Sequence, residues 1–179
     1  AYRRQRQMCI RDRSFSVGKI IAEKAAPKLC PVTLELGGKN PNIIMSDADL
    51  DIAIQGVIDG MRYTRQGQAC TAGSRVYIQE KIYDKVINGA VEKLSKLKMG
   101  NALDEGSDIG AIISEEQLKR TLHYMDIAKQ TSSAKVVHGG NQPTGGDYKN
   151  GFFYEPTLMS GVPVDSPVCQ EEIFGPVAC

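Results

Sequence analysis

The sequence predicts an α/β fold, and three observations carry the prediction. Helical and extended patterns alternate from residue 14 onward, glycine-rich turns separate them, and 41% apolar against 24% charged residues leaves enough material for a core. At 179 residues such a chain forms one or two globular domains.

The elements follow in order. The opening AYRRQRQMCIRDR carries five arginines (Arg3, Arg4, Arg6, Arg11, Arg13) and little that packs. Residues 1–13 are therefore expected to be a basic, extraneous or disordered segment. SVGKIIAEKAAPKL reads as a helix that breaks near Pro27. PVTLELGGKNPNIIMS is extended on both sides of Gly37 and Gly38, with Val32, Leu34 and Leu36 alternating against Thr33 and Glu35. A period of two puts Glu35 on the face away from the apolar side, at a strand end that opens onto glycines.

DADLDIAIQGVIDGMRYTRQ has an acidic start at Asp47 and apolar residues at Leu50, Ile54, Val57 and Met61, which is helical spacing. QGQACTAG follows it and precedes the strand SRVYIQE, so Cys70 stands in a turn between helix and strand. KIYDKVINGAVEKLSKLK gives a second amphipathic helix through Ile82, Val86, Ala90, Leu94 and Leu97, with Gly100 as its expected stop. SEEQLKRTLHYMDIAKQ opens on a capping-box pattern, Ser114 to Gln117. AKVVHGG and GFFYEPTLMSG are extended segments around the loop NQPTGGDYKN.

A formal charge of +1 lacks the one-signed field that nucleic acid or a membrane surface would require, which leaves small molecules as partners. No apolar run has the roughly 20 residues that span a bilayer, and the N-terminus lacks a secretory core. Five scattered cysteines without a CxxC pair, and only His123 and His138 beside them, point to free thiols in a reducing compartment and to no metal site. Cytoplasm is the expected location, with an organelle matrix as the other.

Three short segments are candidates for chemistry: LELGGK with Glu35, GQACTAG with Cys70, and CQEEIFGPV. A thiol nucleophile needs partial exposure, and a glycine-rich turn lets substrate and backbone N–H groups come close. A carboxylate such as Glu35 is able to serve it as a base. Taken singly, a cysteine in a turn is more often structural and a strand-end glutamate more often solvated.

The three together, VTLELGGKNPNII, then QGQACTAGSR, then QEEIFGPVA, closely resemble the NAD(P)-dependent aldehyde dehydrogenase superfamily, whose glutamate, cysteine and nicotinamide-ribose motifs occur in this order. The likeness runs through residues 14–179. It implies the end of a dinucleotide-binding, Rossmann-like domain over 14–39 and most of an α/β catalytic domain over 40–179. Cys70 would be the nucleophile and Glu35 the general base that activates water.

Leu36 would line the nicotinamide site, Glu172 would hold the nicotinamide ribose, and Phe174 would pack at the nicotinamide end. SFSVGKI resembles the end of the family's GSxxVG turn, with Ser14 and Gly18 on its serine and last glycine, where a helix N-terminus receives a pyrophosphate. Arg13 stands where that turn begins with glycine, a departure that bears on pyrophosphate binding. Gln117 falls on a helix that in the family reaches the adenosine end of the cofactor, and it also fits the capping box.

The implied cofactor is NAD or NADP, the implied substrate a small aldehyde, and the parent enzyme a homo-oligomer. The family's second oxyanion donor, an asparagine, comes from a segment upstream of these residues. The chain is therefore expected to be an internal fragment, inactive alone. A CoA-acylating semialdehyde dehydrogenase is the nearest alternative, and Glu35 speaks for hydrolysis instead. A non-catalytic relative of the same fold is the alternative outside enzymes, and a papain-like hydrolase would need a histidine motif that is missing.

Overall fold

The computed structural model describes residues 9–179, and side chains from residue 14 onward. Two compact units divide the chain, residues 1–38 and 39–179.

In the first unit, strand β1 (Cys9–Arg13) pairs in parallel with β2 (Val32–Leu36), and helix α1 (Phe15–Ala25) connects them. This is a βαβ unit, the arrangement that the alternating pattern predicts for a parallel pair. Strand β1 corrects the sequence reading, which set residues 1–13 apart from the fold. Parallel pairing uses backbone groups alone, so an arginine-rich stretch joins a ladder without any apolar signal. Residues 1–8, the rest of that basic segment, lie outside the described residues.

Helix α1 gives way at Ala26–Lys28 to a short 3₁₀ turn that contains Pro27, as the missing N–H of proline requires. Along β2, Val32, Leu34 and Leu36 are half-buried while Thr33 and Glu35 are exposed, so the period-two reading holds.

In the second unit, β3 (Pro41–Ile44) pairs in parallel with β4 (Arg75–Ile78), and α2 (Leu50–Met61) lies between them in sequence. Asp49 caps α2, its carboxylate accepting from the Ile52 N–H at 3.0 Å. Helix α3 (Tyr83–Leu94) packs against α2, and Ile54, Val57, Ile58 and Met61 of α2 share one core with Val86, Ala90 and Leu94 of α3. Burying each large side chain there contributes about 1.5–3 kcal/mol, which outweighs the glycines at 56, 60 and 89. Helix α3 ends at Leu94 on Ser95, well short of Gly100, whose N–H donates to the Ile109 carbonyl at 2.9 Å. The lysine-rich stretch after Leu94 thus runs as a link and the predicted glycine stop is displaced.

Helix α4 (Glu115–Gln130) covers a second core of Leu118, Tyr124, Met125 and Ala128 with Tyr154, Met159, Val168 and Ile173. Strand β5 (Lys135–His138) is antiparallel to β6 (Thr157–Ser160), and β6 is parallel to β7 (Val177–Ala178), which follows the short helix α5 (Pro167–Gln170). The Cys179 N–H donates to the Ser74 carbonyl at 2.9 Å and the Val76 N–H to the Cys179 carbonyl at 2.7 Å. Those two bonds attach the end of β7 to β4, and they bring the segment 167–179 beside the segment that leads out of the cysteine turn.

Candidate active site

Cys70 is exposed, in a turn between the 3₁₀ segment Tyr63–Arg65 and β4. Its neighbours in the chain, Ala69, Thr71, Ala72 and Gly73, are small, and the position of its backbone is set by hydrogen bonds. The Asn40 side-chain amide donates to the Cys70 carbonyl at 2.6 Å and to the Ala72 carbonyl at 3.2 Å. The Gly73 N–H donates to the Gly60 carbonyl at 2.9 Å, and the Asn42 amide to the Gly56 carbonyl at 3.1 Å. The turn is thereby tied to the start of β3 on one side and to α2 on the other. Arg75, at the start of β4, donates to the Lys39 carbonyl and completes the attachment.

Entry to the turn depends on left-handed backbone. Arg62, Gln66 and Gly67 have φ of 59°, 54° and 63°. At Gly67 a Cβ would overlap the Gly175 carbonyl oxygen and come within 2.7 Å of Met61 Cε. Gly175 in turn lies so close to the Thr121 hydroxyl that a Cβ there would overlap it. The cysteine turn and the EEIFGP turn therefore touch through glycine backbone.

Gly67→Ala, which meets both a left-handed φ and an overlap, is expected to destabilise the whole protein by at least about 2 kcal/mol. Thermal unfolding monitored by circular dichroism reads this directly, and an unchanged melting temperature would remove the contact from the account.

Glu172 and Phe174 belong to that second turn. Phe174 has φ 58°, a strained value for an aromatic residue, and its turn is held from α4. Gln117 Nε2 donates to the carbonyls of Ile173 and Phe174, each at 2.9 Å, and Arg120 Nη2 donates to the Glu172 carbonyl at 2.6 Å. Tyr124 donates its hydroxyl to Glu171 at 2.6 Å, and burial followed by that bond pushes the phenol up to about 12. Only half of the capping-box reading of Gln117 survives: the Ser114 hydroxyl oxygen accepts from the Gln117 N–H at 3.2 Å, while the Gln117 side chain turns away to the carbonyls. The two turn carbonyls compete better for that amide than the N–H of the cap. Glu172 is half-buried in a turn, not a solvated charge on a strand.

Lys39 lies beneath this region. Its Nζ and the Nε of Arg75 are buried and take no hydrogen-bond partner among the described residues. Burial lowers the Lys39 pKa, and Arg75 adds to that, whereas the negative potential of Cys179, Cys169 and Glu172 opposes it. Asn40 and Lys39 escaped the sequence reading because a polar residue in a glycine-rich turn carries no periodic signal, and Arg75, at the start of β4, and Arg120, on α4, because a charged residue on a strand or helix reads as solvated.

In the first unit Ser14 heads α1, where its carbonyl accepts from the Gly18 N–H at 3.0 Å and its hydroxyl lies 2.9 Å from that of Ser16. The first turn of α1 has no acidic residue and its cap hydroxyl is not spent on a helix N–H. A Cβ at Gly18 would sit 2.7 Å from Leu36 Cδ2, so these two candidate residues are in contact. Glu35 is exposed on β2. Of the candidates, Ser14, Gly18, Glu35 and Leu36 belong to the first unit and Cys70, Gln117, Glu172 and Phe174 to the second.

Exposure alone does not set Cys70 apart, since Cys30 is exposed as well. What sets Cys70 apart is its fixed backbone; among the described residues Cys30 has a bond from its N–H to the Ala25 carbonyl at 3.4 Å and a weak thiol contact to the Lys28 carbonyl.

Residues 13–179 match the family model described as aldehyde dehydrogenase family. The chain is 42% identical over 165 residues to a D-glyceraldehyde dehydrogenase (NADP(+)) of Picrophilus torridus, which covers 92% of this chain and 33% of that protein. It is 38% identical over 163 residues to the betaine aldehyde dehydrogenase of Bacillus subtilis, covering 91% of this chain and 33% of the relative. A crystal structure of betaine aldehyde dehydrogenase from Staphylococcus aureus in complex with NAD+ superposes with a TM-score of 0.89 at 38% identity, over 94% of this chain and 33% of that one. The chain thus spans about a third of the length of the curated relatives it matches.

Proposed function

The chain belongs to the aldehyde dehydrogenase family, and on that premise we propose that the protein it represents oxidises a small aldehyde to a carboxylate with NAD+ or NADP+ as hydride acceptor, through Cys70 and Glu35. The observation that carries this reading is an exposed cysteine whose backbone is fixed by Asn40 and whose turn abuts, glycine to glycine, the turn of Glu172 and Phe174. A nucleophile and a cofactor subsite need that kind of fixed spacing.

Each unit, taken by itself, offers groups suited to a dinucleotide. The N-terminus of α1, free of acidic residues, suits a pyrophosphate. Glu172 offers a carboxylate for ribose hydroxyls, and Phe174 an aromatic face at the nicotinamide end. Gln117 acts here as a positioning residue, holding the Phe174 turn by its two carbonyls. When bound, the nicotinamide supplies the hydride acceptor.

The rest of the chemistry belongs to this chain. The Cys70 thiolate attacks the aldehyde carbon, and the carbonyl π pair moves to oxygen, giving a thiohemiacetal oxyanion. The Cys70 backbone N–H is a donor for that oxygen, and Asn40, by holding the Cys70 carbonyl, orients the peptide units of the turn. Loss of hydride leaves a thioester on Cys70. Glu35 then takes a proton from water as the water attacks, and the thiolate departs as the carboxylic acid forms. Hydrolysis rather than transfer to CoA is favoured because a thiol acceptor needs no such base. The homo-oligomer and a soluble, cytoplasmic setting belong to the same proposal; among the described residues no helix is long and apolar enough to cross a membrane.

Brief iodoacetamide treatment of the full-length enzyme at neutral pH is expected to label Cys70 ahead of Cys30 and Cys169, with aldehyde oxidation lost in step with Cys70 labelling. Full activity on protein whose Cys70 is carboxamidomethylated would overturn the assignment.

A further inference from the structure

Cys169, in α5, and Cys179, at the end of β7, stand with their sulfurs 3.3 Å apart. Neither takes part in the chemistry above. Cys179 Sγ also approaches the carbonyls of Ser74, at 3.6 Å, and Val168, at 3.9 Å, and Cys169 Sγ that of Val162, at 3.9 Å. The two thiols therefore face each other from opposite ends of the segment that carries Glu171, Glu172 and Phe174. A disulfide has its sulfurs about 2.05 Å apart, so each would move by only about 0.6 Å to form one.

We propose that Cys169 and Cys179 are a redox modification site, oxidised by a hydroperoxide to a disulfide that closes the loop bearing Glu172 and Phe174. The order of events follows from the surroundings. The hydrogen bond that the two sulfurs share brings the Cys169 thiol down to about 7 and, with burial, raises that of Cys179. Lys39 and Arg75 place positive charge beside both.

Cys169 is thus the thiolate that attacks the peroxide. Its sulfur takes one oxygen, the O–O bond breaks, and with one proton water (or an alcohol) leaves, giving a sulfenic acid. The Cys179 sulfur then displaces hydroxide from that sulfenic sulfur, its own proton completing a second water. In sum two thiols and hydrogen peroxide give a disulfide and two waters, and a dithiol reductant reverses the change. A reversible bond of this kind is consistent with a reducing compartment, where disulfides are transient.

The effect on the cofactor rests on the reading of Glu172 given above. Oxidation removes the thiol pair from around Lys39 and leaves Glu172 as the negative group among those that balance it. Glu172 is then drawn to Lys39 and away from the ribose, and dinucleotide affinity falls several-fold.

The test uses the full-length enzyme treated with hydrogen peroxide, alkylated, and digested without reductant by a glutamate-specific protease. Cleavage at Glu171 and Glu172 separates the two cysteines, which share one tryptic segment because no Lys or Arg lies between Lys149 and Cys179. The expected result is a cross-linked pair of peptides carrying Cys169 and Cys179. It should vanish after dithiothreitol and in either Cys169→Ser or Cys179→Ser. Recovery of both cysteines as separately alkylated peptides, with Cys70 oxidised in the same sample, would overturn the proposal.

Calorimetric NAD+ binding to oxidised and reduced Cys70→Ser enzyme then examines the consequence, free of Cys70 oxidation. Weaker binding after oxidation supports it. Unchanged binding beside a confirmed cross-link leaves the modification site standing and overturns the role given to Glu172.

Discussion

Cys70→Ala in the full-length enzyme is expected to lower kcat/KM for aldehyde oxidation by between about 10³- and 10⁶-fold. Alanine has no atom to attack the aldehyde carbon, and an unactivated aldehyde releases hydride poorly. The substitution should leave the fold intact, because the Cys70 side chain is exposed and the two hydrogen bonds that fix this turn go to the backbone carbonyls of Cys70 and Ala72. Surface changes of this kind cost within about 0.5 kcal/mol. Melting temperature and dinucleotide binding should therefore match the parent while turnover disappears. Steady oxidation by the alanine variant would remove Cys70 from the mechanism whatever its exposure.

Glu35→Gln should behave differently, since the proposed mechanism places Glu35 after hydride transfer and Cys70 before it. Glutamine keeps the size of the exposed side chain on β2 and loses the ability to take a proton. One equivalent of reduced cofactor per active site should appear at close to the normal rate. Steady turnover should then fall by about 10²- to 10⁴-fold, the usual contribution of a general base. Stopped-flow absorbance of the reduced cofactor separates the phases. Loss of the first phase itself would mean that Glu35 serves the attack of the thiol and not the release of the acid.

Much of the frame was legible from local pattern. The alternation Val32, Leu34, Leu36 against Thr33 and Glu35 fixed the faces of β2, and the spacing Ile54, Val57, Met61 fixed the buried stripe of α2. Those signals are local because one face of a strand or helix repeats with the backbone. The cysteine turn was legible as well, for small residues on either side of Cys70 leave it nothing to be buried in.

Three features were not legible, each for a physical reason. Strand β1 is made by backbone pairing that arginines neither advertise nor prevent. Gly100 looked like the stop of α3, yet the helix ends at Leu94, Leu97 and Met99 still pack on the same core beyond it, and the glycine serves a later bond to Ile109. The partners that hold the candidate site, Asn40 on Cys70 and Gln117 on the Phe174 turn, act across long sequence separations. Hydrogen bonds of that reach exist only once the chain has folded. Lys39 is the extreme case, a lysine in a glycine-rich turn that reads as solvated and whose Nζ is buried near Arg75, Cys169, Cys179 and Glu172.

The account stands on a covalent intermediate on one named sulfur followed by water activated at one named carboxylate. Rapid acid quench of full-length Glu35→Gln enzyme mixed with NAD+ or NADP+ and a substrate aldehyde, followed by peptide mass mapping, interrogates both together. The predicted result is an acyl group on the peptide carrying Cys70, in equal amount to the reduced cofactor formed. An acyl group on any other residue, or reduced cofactor formed in full with Cys70 unmodified, would contradict it.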